Sequence, residues 1–92
     1  MAMEFTWNQN KAASNLSKHK VPFDEAKTVF DDPLYLDFFD PDHSHDEERY
    51  IIMGKSMKNR LLLVGYTERE KAIRLISARE ATRGERKDYE EG

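Results

Sequence analysis

The chain has 92 residues, which limits burial to roughly 60–65% of the surface the unfolded chain exposes and leaves room for one sheet and a few short helices. It has no cysteine, which excludes disulfides and thiolate metal sites, and no apolar run approaches the roughly 18 residues of a membrane helix. The net charge of −3 hides a polarity: residues 1–48 carry four Lys against eleven Asp and Glu, and residues 49–92 carry eleven Lys and Arg against seven Asp and Glu. Affinity for phosphate follows the local basic face and not the total, so nucleic acid is not excluded as a partner; two solvated surfaces of opposite sign fit the same composition. The N-terminus has no signal-peptide pattern, and a soluble cytoplasmic protein with no membrane partner is expected.

Met1-Ala2 ahead of Met3 reads as an addition, leaving one domain over 3–92. Glu4 to Trp7 alternates polar and apolar, a first strand. Asn8 is a natural N-cap for a helix over 9–18, with Ala12, Leu16 and His19 on one stripe and Lys11, Asn15 and Lys18 on another. After Val21-Pro22, the residues Phe23, Ala26, Val29 and Phe30 predict a second amphipathic helix over about 24–31, with Asp24 and Glu25 in its first turn. Asp31-Asp32-Pro33 ends it. Leu34 to Phe39 reads as the second strand and the polar stretch 40–46 as a loop. Arg49 to Lys55 is the third strand. Arg60 to Tyr66 is too apolar to have a wet face and reads as a central fourth strand. After a turn at 67–70, Ala72 to Ala78 is the fifth. Thr82-Arg83-Gly84-Glu85 matches a capping box opening a terminal helix to about Glu91. The order β-α-α-β-β-β-β-α predicts an α+β fold, with an antiparallel meander from about 34 to 78 and the N-terminal helices packed on one face.

Phe5-x-Trp7-Asn8-x-x-Lys11-x-x-x-Asn15-x-x-Lys18-His19 resembles the opening of the BrnT family, and Phe23-x-Glu25-Ala26-x-x-Val29-Phe30-Asp31-Asp32-Pro33 resembles its second segment. Glu47-Glu48-Arg49-Tyr50 before Gly54, Thr67-Glu68-Arg69, and Arg74-x-Ile76-Ser77-Ala78-Arg79-x-Ala81-Thr82-x-x-Glu85 complete the pattern over residues 4–91, in order. The resemblance implies a RelE-like fold and a bacterial toxin that cleaves RNA and arrests translation. It also implies a ribbon-helix-helix antitoxin that neutralises the toxin, forms a heterotetramer with it and carries it to operator DNA, which the toxin would meet only indirectly. Three positions depart from the pattern: Glu80 where a basic residue is usual, Lys20 where glycine is usual, and Pro22 where a small N-cap is usual. Through Glu80 the chain could instead be a weak or inactive antitoxin-binding subunit of a repressor complex. Glu80→Lys is then expected to raise RNA affinity.

RNA supplies its own nucleophile, the 2′-hydroxyl beside the scissile phosphate. A ribonuclease therefore needs a base, cations for the phosphate and an acid for the leaving 5′-oxygen, but no metal or other cofactor. Arg74 and Arg79 are the candidate phosphate clamp, since a guanidinium donates in pairs and stays charged. Arg74 lies between Ile73 and Leu75 and should point away from the face they bury; Arg79 leaves the strand just before the capped helix. The alternative is that both are surface or antitoxin-facing arginines. His19, at the end of the first helix, suits acid–base work, or else caps that helix while partly buried. Glu48 is a candidate base or simply a solvated acid in the run 46–48. Lys18, Arg49 and Arg83 are candidate RNA contacts. His43-Ser44-His45, between Asp42 and Asp46, offers alternate-residue chelation with nothing to fix its geometry, so no metal site is assigned.

Overall fold

The computed structural model describes residues 3–43 and 46–92. Its elements are β1 (Glu4–Trp7), α1 (Gln9–His19), α2 (Phe23–Ala26), a 3₁₀ turn (Lys27–Asp31), β2 (Leu36–Phe39), a second 3₁₀ turn (Pro41–His43), β3 (Arg49–Lys55), β4 (Leu61–Arg69), β5 (Ala72–Glu80) and α3 (Arg83–Glu91). Among them no helix is long and apolar enough to cross a membrane.

The five strands form one sheet in the order β1-β5-β4-β3-β2. β2 to β5 make the expected antiparallel meander, and β1 adds to its far edge parallel to β5, with Glu4 opposite Ala72 and Trp7 opposite Leu75. Two tight reversals set the registers. Asn59 takes a left-handed φ of 63° between β3 and β4, where Ser56 and Arg60 close the turn, and Glu70 takes 56° between β4 and β5. The turn expected at 67–70 is thereby displaced, because β4 runs on to Arg69 before reversing.

Alternation sends Ile52 of β3, Leu62, Val64 and Tyr66 of β4, and Ile73 and Leu75 of β5 to one face, where Val21, Phe23, Ala26 and Val29 bury them. Complete burial of an aliphatic side chain of this size contributes about 1.5–3 kcal/mol, and Ile52, Leu62, Leu75, Val21 and Val29 are each almost wholly buried. An aromatic row continues this core, with Trp7 edge-on to Phe23 at 5.9 Å and Phe30 against both Phe5 and Tyr66. The 3₁₀ turn lies directly on β3 at Gly54, where a Cβ would stand 3.0 Å from the Val29 side chain and 3.1 Å from the Asp32 carboxylate.

The second helix departs from expectation. One α turn, Phe23–Ala26, tightens into the 3₁₀ turn Lys27–Asp31 in place of a continuous helix over 24–31. Pro22, at its N-cap, offers no side-chain hydrogen bond, and only its carbonyl accepts, from Glu25 and Ala26 N–H. At the C-terminus of α1, Lys20 adopts φ 61° and returns its N–H to Leu16 O, the left-handed cap in which glycine is usual.

α1 also packs on an unexpected side chain. Leu16 is exposed and Asn15 is buried. β1 pairs with β5 only as far as Leu75, so the edge of β5 beyond it has unpaired backbone groups. The Asn15 amide takes the place of a strand there. Its Nδ2 donates to Ala78 O at 2.9 Å and Val21 O at 3.0 Å, and its Oδ1 accepts from Ala78 N–H at 3.0 Å. A polar residue occupies this stripe because a sheet edge, and not an apolar surface, faces it.

Candidate active site

The opposite face of the sheet carries Ile51 of β3, Leu63 and Gly65 of β4, and Arg79 of β5. A bulge between Gly65 and Tyr66, where Ser77 and Leu75 are their respective partners, leaves Ile76 without an opposite number. Among the described residues, α3 covers one end of this face. Arg79 pairs with Glu85 in the first turn of α3, and Tyr89 in its last turn donates to Asp32 Oδ2 at 2.5 Å, which also accepts from Lys55 N–H at 2.7 Å. α3 thus reaches from β5 to the end of β3. Beyond it lies an open cleft of about 420 Å³, with Ile51, Leu63, Gly65 and Ser77 among its lining. Gly65 keeps the floor low, since a Cβ there would come within 2.8 Å of Ser77 Oγ.

Three of the residues singled out from sequence line this cleft: His19, Arg49 and Arg79. Asn15 fixes the end of α1 against Ala78, which brings the exposed His19 to the rim one turn later. Arg74 alternates with the buried Ile73 and Leu75 and so lies on the cleft face of β5. It pairs across β4 Thr67 with Arg49, putting the two arginine backbones about 10 Å apart at ordinary strand spacing. Arg74 and the remaining three, Glu48, Lys18 and Arg83, lie outside the lining. The Glu48 carboxylate accepts from Tyr50 OH at 2.8 Å and its carbonyl accepts from Thr67 Oγ1. Lys18 is exposed beside His19 on α1, and Arg83 is exposed at the start of α3. Ser44 and His45 of the weighed metal loop lie outside the described residues. His43 belongs to the cleft lining, with its ring bonded to Asp40.

Arg79 is held and not idle. Its Nη1 and Nη2 donate to the two oxygens of Glu85 at 2.9 and 2.8 Å, while Glu85 also accepts from Thr82 N–H and completes the expected capping box. The Arg79 guanidinium, with the Thr82 N–H behind it, holds the Glu85 carboxyl down at about 2, and Glu85 raises Arg79 in return. The pair fixes the direction of the guanidinium and removes part of its positive field. On the other side of the sheet, Glu25 is buried and accepts from Ser56 Oγ at 2.6 Å and from Arg60 Nε and Nη2 at 2.9 and 2.5 Å. The Arg60 hydrogen bond keeps Glu25 below the ordinary carboxylate range despite its burial.

Glu80 belongs to that second pair and not to the cleft. It stands opposite Leu62 with its carboxylate 3.9 Å from Arg60 Nη1, so alternation turns it away from Arg79. This placement gives no support to the expectation that Glu80 weakens a phosphate site at Arg79. Glu80→Lys should leave RNA cleavage within about two-fold of the unchanged chain. It should cost at most about 1 kcal/mol of stability, the range for an exposed ion pair. Parallel cleavage and urea-unfolding measurements on the two proteins check both numbers.

Asn15, Glu25 and Arg60 escaped notice as structural keystones because each reads as a surface residue in a local window. The spacing Glu25 to Arg60 spans two elements and has no periodic signature.

Residues 7–85 match the family model of the ribonuclease toxin BrnT of type II toxin–antitoxin systems. The crystal structure of the Brucella abortus ribonuclease toxin BrnT, at 1.1 Å resolution, is similar in fold, with a TM-score of 0.65 and 19% identity over 89% of this chain and 100% of that one. No curated protein sequence matches. With 7–85 of its 92 residues matched to that family model, the chain belongs to the BrnT ribonuclease toxins of type II toxin–antitoxin systems.

Proposed function

We propose that the chain cleaves RNA without a metal cofactor, by attack of the 2′-hydroxyl on the adjacent phosphate, and that translation arrest follows from the cleavage. What carries the reading is the convergence of His19, Arg49 and Arg79, from α1, β3 and β5, on one open cleft, with Arg74 on the same face. Guanidinium groups on a sheet surface supply charge where a pentacoordinate phosphate gains it.

The test is cleavage of a defined RNA in EDTA, alongside the same RNA with a 2′-deoxy residue at the cut site. The proposed chemistry requires full activity on the first and none on the second. Arg74→Ala and Arg79→Ala should each lower cleavage by about 30- to 1000-fold, or about 2–4 kcal/mol, as for other oxyanion donors. Since Arg79 also tethers α3, its variant needs a thermal-unfolding control. Unchanged cleavage in both would remove them from the catalytic machinery.

The family entails an antitoxin partner, and we assign it the ribbon-helix-helix class in a heterotetramer. An acidic or amphipathic segment of that partner would cover Arg74, Arg79 and α3, in the half of the chain that carries eleven Lys and Arg against seven Asp and Glu. Such pairing is sensitive to ionic strength. A second reading has one observation in its favour: the Glu85 carboxylate already occupies both terminal nitrogens of Arg79. On that reading the chain is a weak nuclease that serves mainly to complete a repressor complex. Its signature would be antitoxin binding that survives with no RNA cleavage in EDTA.

A further inference from the structure

We propose that His43 is a catalytic residue of the cleft, acting as the general base, with Asp40 as its positioning residue. The proposal rests on the ribonuclease reading and names the proton acceptor that reading leaves open.

The pair is built by the backbone. Asp40 follows β2 directly, and its N–H donates to Arg49 O at 2.8 Å, which pins it to the first residue of β3. The 3₁₀ turn Pro41–His43 comes next. With three residues per turn, a 3₁₀ segment stacks residue i+3 over residue i, which puts the His43 ring over the Asp40 carboxylate. The result is a 2.9 Å contact between Nδ1 and Oδ2. An ionised carboxylate only accepts, so Nδ1 carries the proton and Nε2 is left with a lone pair. This is the arrangement by which a carboxylate fixes a histidine tautomer for proton abstraction.

An exposed Asp–His pair three residues apart is on its own an ordinary surface contact. Here both members line the same cleft as His19, Arg49 and Arg79. Two imidazoles and two guanidiniums around one opening are the inventory that 2′-hydroxyl attack needs. Glu48, the other candidate base, lies outside that lining with its carboxylate bonded to Tyr50.

In the step, the 2′-O–H proton passes to His43 Nε2 and the oxygen lone pair forms the bond to phosphorus. The bond from phosphorus to the 5′-oxygen breaks and its electron pair stays on that oxygen, which takes a proton from the imidazolium of His19. The products are a 2′,3′-cyclic phosphate and a 5′-hydroxyl. Each histidine then regains its starting state by exchange with water. Arg49 and Arg79 face the phosphate throughout, and the Asp40 carboxylate stabilises the imidazolium formed on His43.

The experiment is single-turnover cleavage of a defined RNA oligonucleotide by the full-length protein in excess. Binding is measured separately with an uncleavable 2′-deoxy version of the same strand. His43→Ala should slow cleavage by about 100-fold or more, the usual contribution of a positioned acid or base. Binding should change less than about two-fold, and added imidazole should restore part of the rate. Asp40→Asn, which keeps the shape, should slow cleavage less than His43→Ala does, with binding unchanged. The side chain of His43 is 68% exposed, so its removal does not disturb the core. His43→Ala that cleaves like the unchanged protein, or whose loss tracks a loss of binding, overturns the assignment and leaves the ribonuclease reading intact. An unchanged protein that cuts no RNA sinks both.

Discussion

Asn15→Leu should destabilise the protein by about 3–5 kcal/mol, although it replaces a polar residue of an amphipathic helix with an apolar one. The helix propensity of leucine is the better of the two, and a helical-wheel argument would forecast a gain. The fold reverses the sign. The Asn15 amide satisfies Ala78 N–H, Ala78 O and Val21 O at the edge of β5. Leucine would bury those three backbone groups without partners, at about 1–3 kcal/mol each before any relaxation. Domains of this size have only about 5–15 kcal/mol in hand. Urea denaturation followed by circular dichroism measures the loss. A midpoint equal to that of the unchanged chain would mean that water or a shift of α1 satisfies the edge instead. His19 stands one helical turn beyond Asn15, so cleavage should fall further in Asn15→Leu than in a variant equally destabilised on the α2 side.

Arg60→Leu should cost about 3–5 kcal/mol at neutral pH, the penalty for leaving a buried charge without its partner. In the intact pair, hydrogen bonds from Arg60 hold Glu25 below its ordinary range. A carboxylate depressed in this way adds stability that is complete above its unfolded pKa and is lost as pH falls through the lower, folded value. Without Arg60, burial dominates and pushes the Glu25 carboxyl the other way, so acid relieves the variant by letting the group become neutral. The gap between the two proteins should therefore be widest near pH 7 and narrow below about pH 4.5. Removing both charges, in Glu25→Leu with Arg60→Leu, should recover much of the loss, since replacing a buried pair by apolar groups is often close to neutral. Urea midpoints at pH 7 and pH 4 for the three proteins decide the matter. A gap that does not change with pH would place the cost in lost packing of the long Arg60 side chain.

Short connections between apolar runs were enough for the meander, with Arg60 to Tyr66 apolar enough to be a central strand. The capping box of α3 was a local signal, and periodicity sufficed to locate α1, though not its buried face, where Asn15 and not Leu16 is covered. It failed at α2, where Phe23, Ala26, Val29 and Phe30 suit an α-helix but close packing on Gly54 calls for a tighter turn. Nor could it place β1, whose partner lies far along the chain. At the site, strand alternation placed Arg74 on the cleft face, Arg79 was read as leaving a strand that instead runs on to Glu80, and His19 was read from its place at a helix end. His43 was visible only as half of a chelating pattern. Its place in the cleft depends on a 3₁₀ turn and a backbone bond to Arg49, and neither has a signature in the residues themselves. Glu80 misled for the opposite reason, since its neighbours in sequence are not its neighbours in space.

The pairing of β1 with β5 has a consequence for the order of events on the ribosome. The strand made first waits for residues 72–75 before it has an edge to join, and Asn15 waits for Ala78. At roughly 5–20 residues per second that interval is about 3–14 s, during which β1 and α1 have no sheet to close upon. A chain halted before β5 lacks Arg74 and Arg79 and leaves Val21, Phe23 and Val29 without the strand that helps to cover them. Incomplete products of this gene should therefore be harmless and short-lived in the cell, and nuclease activity should appear only when synthesis of the sheet is complete. The topology itself delays the hazard, which gives an antitoxin time to be present when the last strand emerges.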